Sequence, residues 1–173
     1  MAGRLGSGVR CRMKIIVCVA TALVAAMPSL ALTEDHCDFD QVAVAQQLLT
    51  KAHKVPGSKK VSSTEFLWAE ESGRTVQISY GGCVDLGVEV SISKPAGLGA
   101  PLSQDDLIRA VARYWSTTDA EFLAEALAGG RGEVQANGKA RVIEFGRDVS
   151  GAFPFGFTVS LASNHVWVSW QEL

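Results

Sequence analysis

Three chemistries lack their usual marks in this sequence. No C-x-x-C pair, no H-E-x-x-H motif and no G-x-S-x-G elbow occurs in its 173 residues, so thiol redox, zinc-protease and serine-hydrolase readings have no motif to start from. Histidine is scarce: His36, His53 and His165 are the whole complement, and no two stand at a close metal-ligand spacing. Beyond residue 33 there is no apolar run of about twenty residues, which excludes a polytopic helical membrane protein. Five prolines, 17 glycines and a charged fraction of 20% exclude collagen-like, low-complexity and wholly disordered chains. Positive charge is in short supply after residue 31, where 12 basic residues face 18 acidic ones, a net of −6. That balance argues against nucleic acid as a partner.

The first 31 residues have the opposite character. They hold Arg4, Arg10, Arg12 and Lys14, no acidic residue, and an uninterrupted apolar run over residues 15–26. Met27, Pro28 and the small-x-small sequence Ser29-Leu30-Ala31 follow. A basic stretch, an apolar core and a small-residue site are the three parts of a secretory signal peptide, so cleavage is expected after Ala31, leaving residues 32–173 as one domain. Met13 is an alternative start, since Met-Lys before the apolar run is already a complete leader. Residues 15–33 are uncharged over a length near that of a membrane span, which makes an uncleaved anchor the competing reading; Pro28 favours processing and hence no integral span afterwards. Export places the protein in the periplasm or outside the cell.

Of four cysteines, Cys11 and Cys18 lie in the leader, and Cys37 and Cys83 remain. An even pair in an oxidising compartment reads as one disulfide.

Hydrophobic spacing then divides the body. Asp38, with Gln41 three residues later, is expected to cap a helix whose stripe is Phe39, Val42, Ala45, Leu48, Leu49 and Ala52. Residues 55–60 stop it, and from Val61 the period becomes two. Phe66 and Trp68 share a face, and Val76, Ile78 and Tyr80 alternate with polar neighbours. The sharpest alternation is Val84, Leu86, Val88, Val90 and Ile92 against Asp85, Gly87, Glu89, Ser91 and Ser93. Ser103 with Asp106 marks a second helix start, and Thr118 with Glu121 a third. Three more strands are expected around Ile143 and Phe145, over residues 153–161, and over residues 166–170. The expected fold is thus α+β, a two-layer arrangement of about six antiparallel strands with helices on one face, in the order α-βββ-αα-βββ, held by one disulfide.

Candidate sites are few. Glu34, Asp35 and His36 beside Cys37 could hold a divalent ion, against the plainer reading of an acidic terminus preceding a helix cap. Ser91 and Lys94 match S-x-x-K, but on a strand rather than the helix turn that would bring the amine under the hydroxyl. Gly129-Gly130-Arg131-Gly132 follows a helix instead of feeding one, unlike a phosphate loop. No cofactor is implied. What remains is surface: Trp167 falls on the face opposite Val166, Val168 and Trp170, and Glu70, Glu71, Asp85 and Glu89 are acidic groups at turns or on wet strand faces. An exposed indole with acidic neighbours suits a protein partner with a basic surface. The expectation is a non-enzymatic exported binding protein of the inhibitor or immunity type. The alternatives are a small-molecule or lipid carrier lined by Phe153, Phe155 and Phe157, and a small metal-dependent hydrolase using His36.

Overall fold

The computed structural model describes residues 37–147 and 153–172. The expected leader, its expected cleavage site after Ala31 and the metal candidates Glu34, Asp35 and His36 lie outside the described residues. Helix α1 (Gln41–His53) starts at Asp40, whose carboxylate accepts from the backbone N–H groups of Val42 and Ala43. The expected cap, Asp38, instead donates its backbone N–H to Cys83 O at 2.8 Å, and Gln41 donates its side-chain amide to Gly82 O at 2.7 Å. Together with the Cys37–Cys83 disulfide, these bonds set the rotation of the helix. Val44, Leu48 and Ala52 therefore face the core, while Val42, expected inside, is 79% exposed.

Strands β1 (Ser58–Ser62), β2 (Glu65–Ala69), β3 (Thr75–Gly81) and β4 (Leu86–Ser93) form a meander. Helix α2 (Gln104–Ala110) follows, capped by Ser103 in the expected capping box with Asp106, and continues as a π-helical turn over Val111–Trp115. Helix α3 (Thr117–Gly129) is capped by Ser116, two residues before the expected Thr118; Ser116 N–H closes the π-turn onto Val111 O, and its hydroxyl accepts from Asp119 N–H. Strands β5 (Glu133–Asn137), β6 (Ala140–Phe145), β7 (Phe157–Leu161) and β8 (His165–Glu172) form a second meander.

The two meanders join through their last strands. The result is one antiparallel sheet of eight strands in the order β1-β2-β3-β4-β8-β7-β6-β5, with Val90 opposite Val168 near its centre. Among the described residues the order is therefore α-ββββ-αα-ββββ, with eight strands rather than six. The two missed strands, β1 and β5, are the sheet's edges, where little is buried and the alternation that marks a strand fades. Val134 on β5 stays 56% exposed although it shares a face with the buried Ile143. Strand β7 also begins later than the alternation from Phe153 suggests. Pro154 has no N–H to donate, and Gly156 adopts φ 83, where a Cβ would lie 2.1 Å from Phe145 O.

Register explains the two faces. Phe66, Ile78, Val90, Val168, Val159 and Ile143 stand side by side across six strands and are all buried. Helix α1 packs over β3, and α2 over β4 and β8. Trp170, assigned to the core from its spacing, is 5% exposed and meets Trp115 and Phe153 edge-on. The helices cover that side of the sheet; the other side is the open face. Among the described residues no helix is long and apolar enough to cross a membrane.

Candidate functional site

Reading the register on the open face gives a row that no single strand displays. Glu65, Ser79, Glu89, Ser169, Thr158, Glu144 and Glu133 lie opposite one another across β2, β3, β4, β8, β7, β6 and β5. Hydroxyl side chains thus separate Glu65 from Glu89 and Glu89 from Glu144, while Glu144 and Glu133 stand directly opposite each other, with neighbouring strands about 4.8 Å apart. Among the described residues, none of the four carboxylates makes a salt bridge or a side-chain hydrogen bond. A cavity of about 870 Å³ lies along this row, lined by Ser79, Glu89, Ser169, Thr158, Glu144 and Glu133, with Phe155 and Arg131 also on its wall. Its lining runs from Thr64 beside β2 to Glu133 on β5, so the open face is concave at this end of the strands, with Glu65 beside the recess rather than on its wall.

The next row holds Trp167. Leu67, Gln77, Ser91, Trp167, Ser160 and Val142 are successive register partners. Ser91 and Ser160, the neighbours on either side of Trp167, are only 6% and 5% exposed although they lie on the open face. A large indole between two small side chains shields both and keeps part of its own surface accessible, as its intermediate burial shows. Trp167 is not part of the cavity wall; it borders it, diagonal to Glu89 across the β4–β8 pair.

The other acidic candidates are placed elsewhere. Glu70, at the β2–β3 turn, is an internal tie: it accepts from Tyr114 Oη at 2.8 Å and lies 3.9 Å from Arg113. Burial and then this bond push the Tyr114 hydroxyl up to about 12. Glu71 is exposed at the same turn, and Asp85 is exposed in the loop before β4. Of the five residues proposed from sequence, the structure brings Glu89 and Trp167 together and leaves Glu70, Glu71 and Asp85 apart from them. Glu65, Glu133 and Glu144 were missed. Glu65 beside Phe66, and Glu144 between Ile143 and Phe145, each occupy the wet position of an alternating pair, and that was the available signal.

A second cavity, about 360 Å³, is bordered by Glu70, Arg74, Asp106, Arg109, Arg113 and Tyr114. Asp106, 7% exposed, accepts from Arg74 and Arg109 at 2.7 Å each and from Ser103. Here the charges pair with one another, which ties the β2–β3 turn to α2. The carrier reading placed a lipid among Phe153, Phe155 and Phe157. Phe153 and Phe157 instead pack in the core, 4.8 Å apart by ring centroids, and Phe155 faces the open-side cavity. Lys94 of the S-x-x-K match is engaged as a clamp on the following loop, donating to Leu98 O, Gly99 O and Ala100 O. Among the described residues no cluster of three or more His, Cys, Asp or Glu could hold a metal ion. No family model, curated protein or solved structure matches this chain.

Proposed function

We propose that this chain is an exported, non-enzymatic binding protein that receives a partner with a basic surface on the open face of its sheet, in the manner of an inhibitor or immunity-type protein. One observation carries the reading. The described acids on the helix side that border the smaller cavity are each matched to an arginine, whereas among the described residues the row of Glu65, Glu89, Glu144 and Glu133 on the open side makes no salt bridge, Arg131 on the cavity wall included. Unpaired surface carboxylates in a concave setting concentrate a negative field, which steers a basic partner and raises its rate of encounter. The leader and the Cys37–Cys83 disulfide agree with export.

The test is a pulldown of envelope proteins by the purified protein at about 50 mM salt, followed by kinetics on whatever is retained. The expected result is a basic partner whose association rate falls about tenfold or more between 50 and 500 mM salt, as screening shortens the reach of the acidic row. Retention of nothing at low salt, or a rate indifferent to salt, would remove the proposal. The cavity's 870 Å³ falls in the range of small-molecule sites and favours, as a second reading, a carrier of a small organic cation. Native mass spectrometry of the purified protein would show that ligand as an added mass.

A further inference from the structure

Resting on the reading above, we infer that the partner engages this face through an arginine side chain seated between Trp167 and Glu89. The centre of the open face is a square of four residues: Glu89 opposite Ser169, and Ser91 opposite Trp167. The carboxylate and the indole occupy one diagonal, and two serines the other. Diagonal side chains in an antiparallel pair stand about 7–8 Å apart. A guanidinium stacked about 3.5–4 Å from an aromatic face and donating over about 2.8 Å to a carboxylate spans nearly that gap.

The serines matter as much as the diagonal. A larger side chain at Ser91 or Ser169 would fill the space beside the ring. Ser169, half-buried and on the cavity wall, adds no bulk there, and Ser91 is itself almost fully covered at 6% exposed. Arginine fits better than lysine because its planar guanidinium stacks on the indole while its edge still donates hydrogen bonds, whereas an ammonium is a compact, strongly hydrated charge. The remaining carboxylates, Glu65 on one side and Glu144 and Glu133 on the other, lie further along the same row and would meet other basic residues of the same partner. A second copy of this chain is a poor occupant, since two open faces would bring two acidic rows against each other.

The probes are the capped peptides hexa-arginine and hexa-lysine, and spermine, titrated into the purified protein and followed by NMR of the four indole N–H groups and by calorimetry. Hexa-arginine is expected to move the Trp167 indole while those of Trp68 and Trp115, which donate to Val55 O and Asp119, stay in place. It should bind several-fold more tightly than hexa-lysine or spermine. W167L and E89Q should each weaken it about tenfold, with W167F recovering part of the loss, and E71Q, at a distant turn, should leave it unchanged. If W167L does not fold, E89Q and W167F still decide the matter. Binding of hexa-arginine that ignores both W167F and E89Q, or equal affinity for all three probes, overturns the arginine seat while the basic-partner reading survives. Binding of none of the probes overturns both.

Discussion

Replacing Cys37 and Cys83 together by serine is expected to lower the stability of the folded chain by about 4 kcal/mol, the chain-entropy value for a loop of this size. The two residues are 46 apart in sequence and 4.4 Å apart between Cα atoms. Without the bridge, the unfolded chain recovers the freedom of that whole loop. The folded chain keeps two local ties at the same place, Asp38 N–H to Cys83 O and Gln41 Nε2 to Gly82 O. The expected picture is a fold that survives but melts about 10–20 °C lower, with α1 losing amide-exchange protection before the β3–β4–β8–β7 centre. Thermal unfolding of the oxidised, reduced and doubly substituted proteins checks this. Reduced and substituted proteins should agree, and a fall below about 1 kcal/mol would mean that the unfolded chain already holds the loop closed.

The second large effect is expected at Asp106. Burial alone would raise its pKa, but hydrogen bonds from the Ser103 hydroxyl and backbone N–H, with the Arg74 guanidinium beside it, outweigh burial and lower it to about 2. A carboxyl whose folded pKa lies below its unfolded one contributes stability above the unfolded value, near 4, and loses it as pH falls through the folded value. The sign therefore predicts a loss of about 2 kcal/mol between pH 4 and pH 2 from this group. D106N should be destabilised by about 2 kcal/mol at pH 7 and should lack that part of the acid slope. D106A, which also removes the acceptor closing the capping box, should cost about 3 kcal/mol. Denaturant titrations of the three proteins at pH 7, 4 and 2.5 measure both effects. Parallel pH curves for wild type and D106N would contradict the assignment of the lowered carboxyl to Asp106.

Much of the architecture was legible because its signals are local. The alternation from Leu86 to Ile92 depends only on a strand having one dry and one wet side. The Ser103–Asp106 capping box depends on four consecutive residues. The Cys37–Cys83 pairing followed from counting, once Cys11 and Cys18 were set aside with the expected leader. Where local signals failed, a tertiary contact had intervened. Val42 lies at helical spacing with Leu49, yet the disulfide and the Gln41–Gly82 bond turn it outward. Glu70 looks like a free turn carboxylate until Tyr114 arrives from 44 residues away.

The candidate site shows the same division. Trp167 and Glu89 were each placed on a wet strand face from their own neighbours, and Glu133 and Glu144 drew no attention because an isolated surface glutamate is unremarked anywhere. The row of Glu89, Glu144 and Glu133, and the diagonal of Glu89 with Trp167 in the next row, depend on the pairing of β4 with β8, strands brought together from distant parts of the chain.

The amino-acid sequence by itself determined the α+β class, the bridge between the two body cysteines, the interior face of the central strands and the acidic balance of the body. Each of these is written in neighbouring residues or in simple counts. Only the tertiary structure decided that the described sheet has eight strands, that its two edges carry almost no buried side chain, and that Glu65, Glu89, Glu144 and Glu133 share one row on the open face. Strand register is a long-range property: side-chain alternation tells which way a residue points, and only pairing between distant segments tells what stands beside it.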